Sequence, residues 1–240
     1  MKPQNEQLAE LKADSWKMFA VISKHYDLLN RVLSFGLDKR WRRELIRHMP
    51  VQPDLLVLDV ATGTADVLIT LLENHAPIQT AYGIDLSEQM LEIGRTKIEK
   101  RGLFSRAMLQ TCDAQALNFL DNTFDVATSA FGIRNIPSLM KALMELYRVL
   151  KPQGRVLILE FSLPKNIFLR LGHHFYLRWV VPSVAFLLSG HYSAYRYLSQ
   201  TIMDFPYGGR FCNIIAQVVF KNVKAFPLMG GVATIYQAEK

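Results

Sequence analysis

Only two cysteines, Cys112 and Cys212, occur in 240 residues. Two thiols cannot build a disulfide framework, and no Cys/His pairing has the spacing of a zinc site, so no metal is expected. No apolar run is long enough to span a bilayer. The strongest, Trp179 to Gly190, has twelve residues and contains Pro182. Residues 1–14 are polar and mixed in charge, unlike a secretory leader, and a cytoplasmic protein is expected. The G-x-G-x-x-G pattern that seats a pyrophosphate is missing, as is the Gly-Lys-Ser/Thr of a triphosphate loop. Acidic residues are scarce in one region only. Residues 163–240 carry eight Lys and Arg against Asp204 and Glu239, whereas residues 1–162 carry 20 bases and 19 acids.

What is present begins with a strand-turn-helix signal. Leu55-Leu56-Val57-Leu58-Asp59-Val60 runs into Ala61-Thr62-Gly63-Thr64-Ala65-Asp66 just as a helical pattern starts. Small residues at such a turn let a ligand approach free backbone N–H groups at a helix start. Tyr82-Gly83-Ile84 then ends in Asp85, 26 residues after Asp59. An acid at the tip of a second strand is placed to accept two hydrogen bonds from a ribose. Gly63 is the one glycine of the turn, and Asp59 and Asp66 would repel a polyphosphate. Two carboxylates suit a cationic nucleoside instead, the sulfonium and ammonium of S-adenosylmethionine. Tight packing alone would also favour small residues here.

The remaining periodicity reads as alternating elements. Residues 5–50 form a helical cap, with Trp16, Phe19, Ile22, Tyr26 and Leu29 at three- and four-residue steps. Strands are expected at 55–60, 80–84, 107–111, 124–130 and 155–161, and helices at 65–74, 87–100 and 137–150. A helix at 207–220 and strands at 223–226 and 232–236 close the chain. This order predicts an α/β fold with a mostly parallel sheet covered on both faces. Asp59, Asp85, Asp113 and Arg134 all fall at or just beyond strand ends, the edge where such sheets bind ligands. Each of them also has a plain structural reading: a loop cap for Asp113, a turn brace for Asp59, an ion pair with a sheet-edge carboxylate for Arg134.

Residues 163–206 break the pattern with aromatics and long apolar side chains. Two readings fit the run from Trp179: a buried helix of a substrate lid, and an interfacial segment touching lipid. Arg170, His173, His174, Arg178 and His191 flank it, and Lys39, Arg40, Arg42, Arg43 and Arg47 form a second basic cluster. Such a surface fits an anionic partner, nucleic acid or membrane head groups, and equally a solvated face with none.

Three segments carry a family resemblance. They are Tyr26-Asp27-Leu28-Leu29-Asn30 through Ser34 to Trp41, then Phe131-Gly132-Ile133-Arg134-Asn135, and Arg148-Val149-Leu150-Lys151-Pro152-Gln153-Gly154-Arg155 through Glu160-Phe161-Ser162. With Tyr195-Arg196-Tyr197-Leu198 and Phe205-Pro206, they resemble the bacterial menaquinone and ubiquinone biosynthesis C-methyltransferases over nearly the whole chain. Departures are Leu29 for Met, Asp38 for His, Gln153 for Gly, Ala130 for a cofactor-contacting Ser, and His191 for an acid. The resemblance implies a Rossmann-like class I methyltransferase fold, seven strands with an N-terminal helical cap and a helical insertion after the fifth. One domain is expected: cap 1–50, cofactor-binding core 51–162, lid 163–206, closing elements 207–240. S-adenosyl-L-methionine is the implied cofactor, with Gly63, Thr64, Asp85, Asp113 and Ala114 as its contacts, Asp85 on the ribose and Asp113 on the adenine amino group.

The implied acceptor is an isoprenoid quinol, most simply demethylmenaquinol, with a ubiquinone-pathway benzoquinol as the alternative. Ring carbon becomes nucleophilic once the adjacent hydroxyl loses its proton, and a phenol has a pKa of about 10. Arg134 is expected to stabilise that anion and Asn135 to orient the oxygen. His191, Tyr195 and Asp27 with Tyr26 are the proton-acceptor candidates, while Trp41 and Tyr26 also read as packing residues. An RNA methyltransferase is the rival suggested by the pI of 9.4. The Asp/Asn-Pro-Pro-aromatic of an amine methyltransferase is absent after the fourth strand, and no nucleic acid partner is expected. Homodimerisation is left open.

Overall fold

In a computed structural model, residues 12–74, 77–189 and 192–240 are described. Two helices come first, α1 (Ser15–Leu33) and α2 (Leu37–Ile46). The core follows as β1 (Leu55–Val60), α3 (Asp66–Asn74), β2 (Ile78–Asp85), α4 (Glu88–Lys100), β3 (Ala107–Thr111), β4 (Phe124–Ala130), α5 (Leu139–Val149) and β5 (Leu150–Phe161). A helical insertion then holds α6 (Ile167–Phe175), a π-helical turn (Tyr176–Val180), α7 (Val181–Ser189) and α8 (Tyr192–Asp204). The chain closes with α9 (Gly209–Gln217), β6 (Lys221–Leu228) and β7 (Ala233–Glu239).

The seven strands lie in the order β3-β2-β1-β4-β5-β7-β6, with only β7 antiparallel to its neighbours. β1 has almost no polar residues because both its faces are covered. Leu58 and Val60 pack with Leu143 and Leu146 of α5 and Phe211 and Ile215 of α9. Leu55 and Val57 point the other way, towards Leu45 of α2, Leu68 of α3 and Ile98 of α4. A third cluster joins α1 (Ile22, Leu29) to the insertion (Leu177, Val181, Ile202). Leu29 is fully buried in it.

Local chemistry sets the element boundaries. Ser87 and Ser138 cap α4 and α5 by accepting from the N–H groups of Met90 and Lys141. β5 starts five residues earlier than expected, because Lys151-Pro152-Gln153-Gly154 continues as strand rather than as a free turn. Gln153, replacing a glycine, sits at φ +66°.

Between β1 and β4 the strand order reverses, so the turns leaving these two strands face each other across a crevice. Gly132 is required there: a Cβ on it would stand 2.5 Å from the Cβ of Ala61. Ala61, Ala65 and Phe131 take left-handed φ values of +54°, +63° and +58° beside Gly63 at +56°. That conformation costs a non-glycine residue about 1–2 kcal/mol. Such strain gathers where a site over-determines its backbone.

Candidate active site

A cavity of about 90 Å³ lies over these turns. Gly63, Asp85, Asp113, Ala114 and Asn135 border it, with Leu86, Met90 and Phe131 on its apolar side. Asp85 is fixed in place: its Oδ2 accepts from the Gly63 N–H at 2.9 Å and its Oδ1 from the Ser87 N–H at 2.9 Å. Burial raises its carboxyl above the ordinary range, and the amides oppose that shift. Asp113 accepts from the Gln115 N–H at 2.9 Å, so it caps its loop while also forming the wall. Asn135 Oδ1 is buried without a partner among the described residues. Two carboxylates, an orphaned acceptor and a bare glycine backbone fit an adenosine with a cationic tail. Ala130 borders the same cavity and offers no hydroxyl.

Thr64 lies elsewhere. Its Oγ1 donates to Asp27 Oδ1 at 2.7 Å and accepts from Lys97 Nζ at 2.8 Å, and it does not border the cavity. Asp59 and Asp66, expected to face a cation, also serve the scaffold. Asp59 accepts from Thr62 and Thr128 hydroxyls at 2.6 Å each, and burial pushes its pKa up to about 6. Asp66 pairs with Lys97 at 2.7 Å and Arg42 at 3.2 Å. Of the four acids, Asp85 and Asp113 border the cavity and Asp59 and Asp66 do not.

A second, mostly apolar cavity of about 430 Å³ adjoins the first. Helices α1 and α2, the Phe131–Arg134 turn and the insertion enclose it, with Ile22, Leu177, Val181 and Ile202 among its walls. Phe19, Tyr26 and Phe131 border both cavities. Burial raises the Tyr26 phenol, so the hydroxyl stays protonated at the shared wall. Tyr26 was expected either as packing or, with Asp27, as a proton acceptor; its place between the two cavities depends on how α1 lies across the sheet edge.

Arg134 lines the larger cavity and is also ion-paired. Its Nη1 donates to Glu160 Oε1 at 2.8 Å and to the Phe131 carbonyl, and its guanidinium carbon lies 5.4 Å from the Phe161 ring centroid. Arg134 Nε has no partner among the described residues. Sequence reasoning foresaw the sheet-edge carboxylate as an alternative but did not identify Glu160, although the residue stands in a quoted motif. Of the proton-acceptor candidates, Asp27 is tied to Thr64 and, at 2.5 Å, to Lys97. His191 lies outside the described residues, as does the side chain of Tyr195. Two groups were missed. His173 lines the larger cavity, and burial lowers its pKa, which keeps the imidazole neutral. Lys12 borders the smaller cavity, its pKa lowered by burial and then by Arg134. Cys112 borders it too, but burial raises its thiol, the opposite of an activated nucleophile.

The basic cluster of α2 is smaller than its sequence suggests. Arg42 is buried and bonded to Asp38 at 2.7 Å, which explains the acid at position 38. Lys39, Arg40, Arg43 and Arg47 are exposed. No described helix is long and apolar enough to cross a membrane.

Comparisons with known proteins bear on the family and the fold. Residues 6–240 match the model of the ubiE/COQ5 methyltransferase family. The ubiquinone/menaquinone biosynthesis C-methyltransferase UbiE of Geotalea uraniireducens is 41% identical over 224 residues, 93% of this chain and 95% of that protein. The demethylmenaquinone methyltransferase of Bacteroides fragilis is 42% identical over 225 residues, 93% of this chain and 91% of that one. Among solved structures, an S-adenosylmethionine-dependent methyltransferase from Thermotoga maritima superposes with a TM-score of 0.65 at 16% identity, covering 94% of this chain and 99% of that one. The fold is that of the class I S-adenosylmethionine-dependent methyltransferases, and the chain belongs to the ubiE/COQ5 methyltransferase family.

Proposed function

We propose that this chain moves the methyl group of S-adenosylmethionine to a ring carbon of a reduced isoprenoid quinone, demethylmenaquinol first and a ubiquinone-pathway benzoquinol second. One observation carries the reading: a carboxylate-edged cavity at the strand tips shares Phe19, Tyr26 and Phe131 with a larger apolar cavity. The carboxylates bordering the first suit a cationic nucleoside donor, and the apolar walls of the second an oily ring with a prenyl tail.

Asp85 and Asp113 would hold ribose and adenine, while Gly63 and Ala114 allow close approach. When bound, the donor supplies an electrophilic methyl. The chain's own part is to hold the acceptor in line and stabilise its oxyanion. Arg134 keeps for that oxygen an Nε donor that has no partner among the described residues, despite its pairing with Glu160, and the protonated Tyr26 hydroxyl is a second donor on the shared wall. Asn135 orients either oxygen or water. Neutral His173 is suited to accept the phenolic proton. His173→Gln should flatten the acid limb of the turnover–pH profile and leave donor binding intact; an unchanged profile removes it from the mechanism.

Tritiated donor incubated with demethylmenaquinol, a demethylated benzoquinol and bulk RNA tests the reading. Label in the lipid extract, strongest with the naphthoquinol, is expected. Label in RNA alone defeats it.

A further inference from the structure

The mouth of the larger cavity can be located from its own lining. Phe35 and Phe168 both border the cavity, yet they are 80% and 79% exposed. Two phenyl rings thus stand at its rim, in water. Phe35 does so at φ +53°, a conformation a bulky residue rarely accepts. Tyr176 joins the two sides of the rim: its ring lies 5.9 Å from that of Phe35, and its hydroxyl donates to the Leu33 carbonyl at 2.6 Å.

From Phe168 an apolar stripe continues along α6 into the π-helical turn. Leu171, Phe175 and Trp179 follow at steps of three, four and four residues and are 61%, 62% and 59% exposed. None of these three borders the cavity. Soluble surfaces seldom leave so many large apolar side chains contiguous and uncovered. Basic residues bracket the stripe: Lys165 and Arg178 are exposed, Arg170 half-buried, and no Asp or Glu occurs from Leu163 to Met203.

We propose that this face of α6 and the π-helical turn, together with Phe35, rests on an anionic lipid bilayer, so that the mouth of the acceptor cavity opens into the membrane. The proposal rests on the quinol reading above and adds where the substrate enters. Aromatic and aliphatic side chains beside arginines match the boundary between acyl chains and anionic head groups. A second copy of the chain fits less well, because a two-fold contact through this stripe would set Arg170 and Arg178 against the same positive segment of its partner.

Flotation of the full-length protein with vesicles tests this, using phosphatidylglycerol/phosphatidylethanolamine against pure phosphatidylcholine. Wild type should bind the anionic vesicles. The combined variant Leu171→Ser/Phe175→Ser/Trp179→Ser should bind at least ~10-fold more weakly, since each loses the burial of a large apolar side chain. It should keep wild-type turnover on a short-tailed, water-soluble acceptor and lose it on the same ring with a long tail embedded in vesicles. Arg178→Glu, an exposed change that spares packing, should by itself weaken binding to anionic vesicles by roughly 10-fold and leave phosphatidylcholine unaffected. Wild type that ignores anionic vesicles, a triple variant that binds them equally well, or a dimer that dissociates in the triple variant while vesicles have no effect would each overturn the proposal. Vesicle binding by wild type without methylation of any quinol would leave this docking face standing and defeat the proposed reaction.

Discussion

Arg134 Nη1 and Glu160 Oε1 meet at 2.8 Å, with the two side chains 3% and 0% exposed. Burial raises the Glu160 carboxyl and the guanidinium beside it opposes that, so the carboxylate depends on its partner. The pair neutralises itself, which allows a charged donor to stand at the wall of an oily cavity. Removing one member leaves a buried charge unpaired, a loss of about 3–5 kcal/mol. Glu160→Gln is expected to lower unfolding free energy by about that much. Arg134→Lys keeps the charge and loses the planar fork. It should cut turnover far more than donor affinity, as read by steady-state rates and calorimetry. Equal losses in both would remove Arg134 from transition-state stabilisation.

Asp59 predicts a pH dependence of stability. Its pKa is about 6 in the folded chain, against about 3.9 for an unperturbed aspartate. Between those values the folded state holds the proton that the unfolded state has released. Stability from this group is therefore present at low pH and lost as pH rises through about 6. Asp59→Asn can bond both Thr62 and Thr128 without ionising. Denaturant titrations from pH 4 to 7 should show the variant gaining about 2–3 kcal/mol relative to wild type. A constant difference across that range would contradict the assignment.

Thr64 and Asp85 were both read as donor contacts, and the structure separates them. Thr64 bridges Asp27 of α1 and Lys97 of α4, so its hydroxyl holds the helical cap to the core. Thr64→Val should cost about 1–2 kcal/mol of stability and weaken donor binding only a few-fold. Asp85→Ala should weaken donor binding by roughly 10–100-fold, as expected for hydrogen bonds to a charged group. Calorimetry with S-adenosylhomocysteine checks the order, and the reverse ranking would return Thr64 to the binding site.

Gln153 is an exposed residue held at φ +66°. Its N–H donates to the Lys240 carbonyl at 3.1 Å, so only the conformation distinguishes it from glycine. Gln153→Gly should raise stability by about 0.5–1 kcal/mol, the left-handed penalty less the added freedom of the unfolded chain. A destabilised variant would show that the side chain contributes contacts.

The sheet was legible because apolar strands alternate with capped helices. Ala107–Thr111 and Phe124–Ala130 coincide with expectation to the residue. Asp85, Asp113 and Asn135 were legible as neighbours at the sheet edge, where all three border one cavity, because strand tips converge there whatever the details of packing. Side-chain direction was not legible. Asp59 and Asp66 sit as near that edge in sequence as Asp85 does, yet one turns under the turn to two threonines and the other outward to Arg42 and Lys97. Glu160 escaped notice because a partner 26 residues from Arg134 is chosen by the pairing of β4 and β5. The shared wall of Phe19, Tyr26 and Phe131 depends on where α1 crosses, which no periodicity encodes.

On the proposed function, two ligands occupy the two adjoining cavities and react across that wall. A crystal structure with S-adenosylhomocysteine and a short-tailed demethylnaphthoquinol tests it most directly. The adenosine should lie against Asp85 and Asp113, with the quinol ring between Tyr26 and Arg134, one oxygen within hydrogen-bonding distance of the guanidinium. Both ligands competing for one cavity, or a ring bound away from Arg134, would contradict the account.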